Sequence, residues 1–415
     1  MVNIPLLLMG CGGVGRQLLH HIISCRTLHS KQGVRLRVVG VCDSKCMVVK
    51  HDVLISELDD EFLLKLCEVK SGGSSLREVD DFGDSQVISG QEIEKKIMDV
   101  AATLCKSSGL VLVDCTASSE TIALLSQAAS LYCCVVLANK KPLTSSLASY
   151  DKLVSRPRRI RHESTVINGD KRDPKLTVLA GESLVREKVG SSHQFPTRHQ
   201  NFQVGAGLPV ISTINRMLSS GDPIFRIMGS LSGTLGYVMS QVEGERPFSQ
   251  VVIAAKSLGF TEPDPRDDLS GMDVARKALI LARLLGHRVS LDRIKIESLY
   301  PVEMRPDVMP VEEFLSNGLP SLDKDIQKRV ENAASNGKVL RYVCLIEESG
   351  CEVGIQEVAK DSALGRLKGS DNVLEIYSRC YHEQPLVIQG AGAGNDTTAT
   401  GVLADILDLQ DLFQH

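Results

Sequence analysis

The chain has 415 residues, of which 43% are hydrophobic and 24% charged, and its formal net charge is -4 at pH 7. This size and composition predict a globular protein of two or three domains. The chain has no tryptophan and no basic excess, which argues against nucleic-acid binding, and no apolar segment reaches the ~18 residues of a membrane span. Since no basic leader precedes the first apolar segment, we expect a cytoplasmic protein.

The N-terminal segment predicts a nucleotide-binding turn. The letters "IPLLLMGCGGVGRQLLHHI" indicate a strand, then Gly10, Gly12 and Gly15 in G-x-G-x-x-G spacing, then an amphipathic helix. Small residues at a strand-to-helix turn let the pyrophosphate of a dinucleotide approach the N–H groups of the helix N-terminus. Gly13 and Val14 complete this cofactor-binding loop.

A second apolar segment, "LRVVGVCDS", ends at Asp43, where a carboxylate would bond the ribose hydroxyls of a cofactor. Asp43 follows Gly15 at a longer spacing than the ~20 residues usual in such folds, which a longer connection would explain. A turn residue at the end of the strand is the alternative interpretation. Lys45 and Arg16 are close enough in sequence to meet a 2′-phosphate, so the choice between NAD and NADP stays open.

Two more segments, "GLVLVDCTAS" and "CCVVLANKKPLT", predict buried strands that end in polar residues. The carboxyl ends of parallel strands line the ligand crevice of an open sheet. Thr116 and Lys140 are therefore candidates for the nicotinamide end of the cofactor site. A helix N-cap and an exposed turn lysine are the respective alternatives.

The twelve cysteines are scattered and form no C-x-x-C pair. Several lie in apolar, strand-like segments, which predicts reduced structural thiols and no zinc site. Cys11, inside the glycine loop, is a candidate for oxidation.

The segment "TEPDPRDDLSGMDVARK", residues 261–277, contains five carboxylates. Asp273 and Lys277 are one helical turn apart, on a helix face that becomes apolar further along. We expect this pair to be buried or to face a cleft, where the pKa of a lysine shifts toward the range of proton transfer. A surface ion pair is the alternative. An EF-hand is excluded, because Arg266 would occupy its first ligand position.

These segments carry a family resemblance. The motifs occur in the order "GCGGVG", "VDCTAS", "ANKKPLT", "HESTV", "GAGLPVIS", "GSLSGTLGYV", "AKSLGFTEPDPRDDLSGMDVARK" and "IQGAGAGNDTTATGVLADI". In them the chain resembles homoserine dehydrogenases of the monofunctional, plant-like form. The resemblance implies reversible, NAD(P)H-dependent reduction of L-aspartate 4-semialdehyde to L-homoserine, a step toward threonine, methionine and isoleucine, by a homodimer.

The resemblance also implies roles for individual residues. Lys277 would donate the proton to the developing alkoxide, with Asp273 beside it and Lys140 near the oxygen being reduced. Glu262 and Asp268 would contact the substrate ammonium. Their alternatives are a turn cap and a helix N-cap, respectively.

Glycine-rich positions complete the implied site. Gly233 and Thr234, at a helix start, would offer N–H groups to the substrate carboxylate. Gly392 and Gly394 would lie against the cofactor, where the chain returns to the nucleotide domain. A flexible loop is the alternative for this glycine-rich stretch.

The resemblance further implies a Na⁺ or K⁺ site formed by four residues: Glu163, Val166, Ala206 and Leu208. In the family "HESTV" runs directly into "GAGLP", whereas here residues 167–203 separate them. This insertion is polar and lacks a sustained helical or strand period, so we expect it to be poorly ordered. We hypothesise that it derives from a retained intron or an uncertain gene model, and that it could displace Glu163 from its partners.

We therefore expect an α/β protein with two regions. Residues 1–150 and 388–415 would form a doubly wound, Rossmann-type nucleotide-binding domain, and residues 151–387 an α/β substrate-binding, catalytic and dimerisation region. The alternating segment "KVLRYVCLIEESGCEVGIQEV" predicts strands of a sheet that could pair across a dimer. The expected partners are a small-molecule substrate and a second copy of the chain, without nucleic acid or membrane.

Two other functions stay open at this point. A catalytically impaired isoform would bind nucleotide and modulate active partners, because of the insertion. A dehydrogenase of another small amino-acid aldehyde is the other alternative.

Overall fold

The computed structural model of the chain describes residues 1–79, 83–167, 208–244, 246–392 and 394–413. Apart from Ile167, the predicted insertion 167–203 lies outside these ranges, so its expected poor order stays a prediction. Within them, the strands form one seven-stranded and one six-stranded sheet. None of the helices in the described ranges is both long enough and apolar enough to cross a bilayer.

The first part of the chain alternates strands and helices. Its elements are β1 (Val2–Met9), α1 (Gly13–Ser24), α2 (Arg26–Lys31), β2 (Val34–Cys42), β3 (Cys46–Lys50), α3 (Asp60–Ser71), β4 (Ser85–Ser89), α4 (Glu92–Leu104), β5 (Val111–Asp114), α5 (Thr121–Ser130), β6 (Cys134–Leu137), α6 (Leu147–Leu153), β7 (Ile160–Arg161) and α7 (Glu163–Ile167). The strands are ordered β4-β3-β2-β1-β5-β6-β7. Within this sheet β2, β1, β5, β6 and β7 are parallel to one another. Apolar cores on both faces of this sheet explain why β1, β5 and β6 are almost continuously apolar.

The second part of the chain builds the other sheet. Its elements are α8 (Val210–Ser219), β8 (Ile224–Ser230), α9 (Gly233–Val242), α10 (Phe248–Ser257), α11 (Arg266–Leu269), α12 (Met272–Leu284), β9 (Lys295–Ile296), α13 (Val311–Glu313), α14 (Leu319–Ser321), α15 (Asp323–Ser335), β10 (Lys338–Glu347), β11 (Gly350–Ala359), β12 (Asp371–Ser378), β13 (Leu386–Ala391) and α16 (Asn395–Leu407). The strand order is β13-β12-β8-β10-β11-β9, antiparallel except for the β11–β9 pair. The predicted alternating strands are confirmed as the β10–β11 hairpin.

The predicted α/β class, with a doubly wound sheet and a second α/β region, is confirmed. Helices α9, α12 and α15 cover one face of the second sheet, and α12 is its central, almost fully buried helix. Helix α16 returns to the first sheet, where Ala399, Val402 and Ile406 share a core with β1. Helix α16 also contacts α1 and β6.

The chain changes sheets near, but not at, the expected domain limits. Strand β7 lies beyond residue 150 and yet pairs with β6 of the first sheet. Strand β13 extends past residue 388 and pairs with β12 of the second sheet. The domain limits themselves stay a prediction.

Candidate active site

The β1–α1 turn forms a backbone cradle at the end of the first sheet. Gly10 has φ +93°, and a Cβ there would lie 2.7 Å from the backbone of Cys115. A Cβ at Gly15 would lie 2.0 Å from the Gly10 carbonyl oxygen. Gly12 is the N-cap of α1, and a Cβ on it would meet no atom of the described residues within 4 Å. Gly10 and Gly15 therefore close the turn, while Gly12 borders open space beside the first N–H groups of α1, which Gly13 and Val14 begin.

Asp43 organises the turn after β2. Its Oδ1 accepts hydrogen bonds from the N–H groups of Lys45 (2.8 Å) and Cys46 (2.9 Å). Its Oδ2 accepts from Lys70 Nζ (3.0 Å) and from the N–H of Leu76 (3.2 Å). Although burial raises the pKa of Asp43, these hydrogen bonds hold it below its usual value. Each carboxylate oxygen already accepts two hydrogen bonds, which is the turn-forming role that the sequence offered as the alternative to ribose binding.

A buried polar network fixes the ends of β5 and β6. Asp114, at the end of β5, accepts hydrogen bonds from the Thr116 N–H (2.9 Å) and hydroxyl (2.7 Å) and from the Thr121 hydroxyl (2.8 Å). Asn139, two residues after β6, donates to the same carboxylate at 3.1 Å and to the Ser118 carbonyl at 2.7 Å. Burial raises the pKa of Asp114. Thr116 is thus held rigidly at the carboxyl edge of the sheet, next to the loop that carries Lys140.

Lys277 is buried on α12 with an exposed fraction of 1%. Its Nζ donates to Asp273 Oδ2 at 2.8 Å and to the Leu231 carbonyl at 2.7 Å. Lys140, in the loop that follows β6 of the first sheet, donates to the other oxygen of Asp273. One carboxylate therefore holds two ammonium groups from different parts of the chain, and the Lys277–Asp273 pair is not a surface ion pair.

The surroundings of this triad shift its pKa values. Burial lowers the pKa of Lys277, and the neighbouring charge of Lys140 lowers it further, against the opposing effect of Asp273. Burial raises the pKa of Asp273, but the two lysines outweigh it and hold the pKa well below its usual range. A buried lysine with a lowered pKa gives up its proton more readily than a free lysine, which suits it to proton transfer.

The acidic loop before α12 is anchored by Arg266, whose exposed fraction is 2%. Its guanidinium binds both carboxylate oxygens of Asp264, with the shortest contact at 2.6 Å. It also donates to the carbonyls of Met304 (2.9 Å) and Met309 (2.6 Å), and it lies 5.0 Å from the ring centroid of Phe314. Arg266 therefore ties the loop to a segment about forty residues further along the chain.

Within this loop, Asp268 Oδ2 accepts the Glu262 N–H at 2.8 Å. Asp268 thus closes the turn that carries Glu262, and both residues precede α12 and its lysine. The start of α9 lies nearby, because Leu231, which binds Lys277, stands two residues before Gly233. The fold therefore brings the acidic loop, the lysines and a helix N-terminus to the same place.

Thr234, in the first turn of α9, is buried, and its hydroxyl donates to the Phe260 carbonyl at 2.5 Å. Ser232 caps the helix by accepting the Leu235 N–H at 3.2 Å. Gly233 is also buried. The first turn of α9 is thereby fixed against the loop that carries Glu262.

The loop between β13 and α16 meets the glycine loop of the first sheet. A Cβ at Gly13 would lie 2.5 Å from the side chain of Asn395, the first residue of α16. Gly394 is the N-cap of α16 with φ +144°, and a Cβ at Gly392 would lie 1.9 Å from Asn372. The Gly13–Asn395 contact brings this loop beside the β1–α1 turn, where the sequence predicts the cofactor.

The model of the family described as homoserine dehydrogenase matches residues 209–407. A homoserine dehydrogenase of Emericella nidulans is 47% identical over 215 residues, which are 49% of this chain and 58% of that protein. A bifunctional aspartokinase/homoserine dehydrogenase of Haemophilus influenzae is 33% identical over 97% of this chain. The chain is similar to homoserine dehydrogenases in the segment that the family model matches and in these relatives. It spans 42% of the Haemophilus influenzae protein and 38% of a bifunctional relative from Zea mays.

Solved structures share the fold of this chain. A Candida auris protein of unknown function superimposes with a TM-score of 0.78 at 29% identity, over 100% of this chain and 99% of that one. A hyperthermophilic archaeal homoserine dehydrogenase in complex with NADPH has a TM-score of 0.67 at 20% identity, over 100% and 99% of the two chains. The second likeness supports the fold alone.

The cation site that the family resemblance implies is only partly described. Glu163 Oε1 accepts the Ile211 N–H at 2.6 Å, and Oε2 accepts the Ser212 N–H at 2.8 Å, so the carboxylate caps the first turn of α8. Leu208 is buried just before that helix. Val166 belongs to α7, and Ala206 lies outside the described residues. Among the described residues no group of three or more His, Cys, Asp or Glu side chains could hold a metal ion.

Several residues of this candidate site were not predicted from the sequence. Arg266 and Asp264 form the anchor of the acidic loop, and Asp114 with Asn139 orders the crevice. The only local signal for Arg266 is its position as the one cation among the carboxylates of "EPDPRDD". Asp114 and Asn139 lie at or just after the ends of apolar strands. The same position, at the carboxyl end of a strand, is what selected Thr116 and Lys140 as candidates.

Proposed function

We propose that this protein is a homoserine dehydrogenase that reduces L-aspartate 4-semialdehyde to L-homoserine with NADPH or NADH. The observation that carries the proposal is the triad in which Asp273 binds both the buried Lys277 and the partly buried Lys140. Such a triad supplies a proton donor, and the adjoining acidic loop supplies carboxylates for the ammonium group of an amino-acid substrate. Both lie beside a glycine cradle of the kind that binds dinucleotides.

The glycine cradle fits a nicotinamide dinucleotide. Gly12 borders open space at the N-terminus of α1, where a pyrophosphate would accept hydrogen bonds from N–H groups. Thr116 at the sheet edge and Gly392 and Gly394 in the return loop would hold the nicotinamide end. When bound, the cofactor supplies the hydride for reduction of the aldehyde carbon.

We further propose that NADP(H) is preferred. Asp43, the residue that would select a ribose 2′-hydroxyl, is occupied by four hydrogen bonds within its own turn. Arg16 and Lys45 flank this region and carry the positive charge that a 2′-phosphate needs. A kcat/KM for NADH equal to or above that for NADPH would contradict this assignment.

The chain's own residues would then handle binding and proton transfer. Glu262 and Asp268 would receive the substrate ammonium, and the N–H groups of Gly233 and Thr234 its carboxylate. Lys277 would give its Nζ proton to the developing alkoxide, while the Leu231 carbonyl and Asp273 hold that nitrogen in place. Lys140 would stabilise the same negative charge.

We also propose a homodimer and a monovalent cation near Glu163, both supported by the family. Light scattering would give the mass of the particle in solution. Since both oxygens of Glu163 bind N–H groups of α8, the cation would be held chiefly by backbone carbonyls. A melting temperature that is the same in sodium, potassium and choline chloride would argue against the cation.

The test of function is the loss of reduced-cofactor absorbance when aspartate semialdehyde is added to the purified chain. We expect turnover with this substrate and little with semialdehydes that have a longer side chain or lack the α-amino group. A chain that binds NADPH and still fails to oxidise it with aspartate semialdehyde would overturn the proposal. Faster turnover of another amino-acid aldehyde would show that aspartate semialdehyde is not the substrate, while the proposed reduction of an aldehyde would still stand.

A further inference from the structure

Two thiols lie in direct contact beside the first sheet, at the amino end of β6 and away from the glycine cradle. The Sγ atoms of Cys105 and Cys133 are 3.0 Å apart. Cys105 directly follows α4, and Cys133 directly precedes β6. Cys133 is buried, whereas Cys105 is partly exposed.

The fold selects this pair over the neighbouring thiol. Consecutive residues of a strand point to opposite faces of a sheet. Cys133 lies in the core that also packs α4 and Cys105, while Cys134 lies in the core on the other face. Cys105 can therefore contact Cys133 but not Cys134.

We propose that Cys105 and Cys133 form a redox-active dithiol that a hydroperoxide converts into an intramolecular disulfide. This inference is independent of the proposed dehydrogenase activity. The two residues lie at the amino end of β6, whereas Lys140 and the glycine cradle lie at the carboxyl ends of the strands.

The oxidation proceeds in two balanced steps. The Cys105 thiolate attacks one peroxide oxygen, so an S–O bond forms, the O–O bond breaks and the leaving oxygen departs as water after protonation. Cys133 then attacks the sulfenic sulfur, so the S–S bond forms, the S–O bond breaks and a second water leaves. The two thiols lose two electrons in total, and hydrogen peroxide gains them.

The surroundings favour Cys105 as the attacking sulfur. The hydrogen bond from Cys133 and the nearby positive charge of Arg159 lower the pKa of Cys105 against the effect of burial, and the same hydrogen bond raises that of Cys133. Arg159 is held in place by donating to the Tyr132 carbonyl at 2.8 Å. Arg159 also donates to Cys134 Sγ at 3.7 Å, and its charge acts on Cys105 without a direct contact. A cation near a thiol favours the reactive thiolate. By contrast, burial raises the pKa of Cys11 to about 12, which makes this sequence-predicted oxidation site a poor nucleophile.

The test treats the reduced, full-length protein with equimolar hydrogen peroxide, blocks free thiols with iodoacetamide and digests with trypsin. Cys105 lies in the tryptic peptide 97–106, and Cys133 lies in 107–140 together with Cys115 and Cys134. We expect one disulfide-linked product of these two peptides in the wild type. Chymotryptic cleavage after Tyr132 separates Cys115 from the pair of adjacent cysteines.

Serine variants identify the sulfurs. The link should persist in the matched control Cys134→Ser and be lost in Cys133→Ser, in which dimedone should label Cys105 as a sulfenic acid. Cys105→Ser, at the partly exposed position, should lose the link and leave Cys133 unlabelled. A rise of a few degrees in the melting temperature of the oxidised wild type should be absent in both single variants.

Absence of the link in oxidised wild type overturns the proposal without reference to any variant. So does a link that survives in Cys133→Ser, or one that disappears in Cys134→Ser when that variant melts at the wild-type temperature. Turnover of the oxidised enzyme should match that of the reduced enzyme.

Discussion

Replacing Lys277 by methionine tests the proposed proton donor. General acid catalysis contributes about 10²- to 10⁴-fold to turnover. We therefore expect kcat to fall about 10²- to 10⁴-fold, which corresponds to a loss of about 2.7–5.4 kcal/mol of transition-state stabilisation. Methionine has a similar length and no charge, so the change removes the proton without emptying the site.

The structure also predicts the effect of this change on folding. In Lys277→Met, Asp273 keeps its contact with Lys140, so the carboxylate is not left without a counter-charge. The Leu231 carbonyl loses its donor, at a cost of about 1–3 kcal/mol, while the desolvation penalty of the buried ammonium disappears. These terms oppose each other, so the free energy of unfolding should change by no more than about 2 kcal/mol.

The assay pairs steady-state oxidation of NADPH by aspartate semialdehyde with direct measurement of NADPH binding. Lys328→Met, the same substitution at an exposed position of α15, is the control and should retain wild-type turnover. Lys277→Met should bind NADPH with wild-type affinity. Turnover of Lys277→Met within tenfold of wild type would refute its assignment as the proton donor.

The pH profile gives a second, independent readout of Lys277. Because burial lowers its pKa below the ordinary value of 10.5, its charged form is lost at a lower pH than in a free lysine. The rate of aldehyde reduction should therefore fall as the pH rises through this lowered pKa, and Lys277→Met should lack that alkaline limb. Between the lowered pKa and 10.5 the unfolded chain binds more protons, so the free energy of unfolding should rise with pH in that window.

Three further substitutions separate catalysis, loop position and folding. Asp273→Asn leaves Lys277 beside a second ammonium, so the alkaline limb of the pH profile should move to lower pH as turnover falls; an unchanged limb would contradict the triad. Arg266→Met removes the anchor of the acidic loop, which should raise KM for aspartate semialdehyde at least about tenfold and lower the free energy of unfolding, measured in urea, by about 3–5 kcal/mol. Its NADPH affinity should not change, and an unchanged KM would show that the anchor does not position the loop. Burial and the charge of Glu163 raise the pKa of Asp405 well above its usual value, so wild type loses stability as pH rises from its unfolded pKa toward the folded one. Asp405→Asn should melt at or above the wild-type temperature at neutral pH and lack that slope, and a lower melting temperature there would contradict the raised pKa.

Short-range patterns were sufficient to predict much of the fold. The β1–α1 turn follows from glycine spacing, because Gly10 and Gly15 occupy places where a Cβ would collide with backbone. Strands β5 and β6 follow from apolar segments, because both faces of the first sheet are covered. The Asp273–Lys277 contact follows from one helical turn of spacing on α12.

What the sequence did not predict depends on contacts between distant residues. Arg266 reaches the carbonyls of Met304 and Met309, and Lys140 reaches Asp273 from the other sheet. No local period encodes such pairs, since tertiary packing alone brings them together. Asp43 shows the opposite case, because a strand-end carboxylate fits either a ribose or a turn. The structure shows its hydrogen bonds to Lys70 and to the N–H of Leu76, while ribose binding stays a prediction.

The residues on either side of the insertion are joined by direct contacts. Glu163 binds the N–H groups of Ile211 and Ser212, and its own N–H donates to Asp405 at 3.0 Å. These contacts fix α7 against α8 and α16 whatever the length of chain between α7 and α8. Loop-closure entropy grows slowly, at about 0.6 kcal/mol per doubling of length.

A chain that lacks residues 167–203 should therefore match the full chain in turnover and differ by only about 1–2 kcal/mol in the free energy of unfolding. The comparison needs both chains in the same absorbance assay and in the same urea titration. Glu163→Gln in each background is the control, because it weakens the cap of α8 and should lower both stabilities equally. Activity that appears only in the shortened chain would mean that the insertion, and not the Glu163 contact, sets the geometry between α7 and α8.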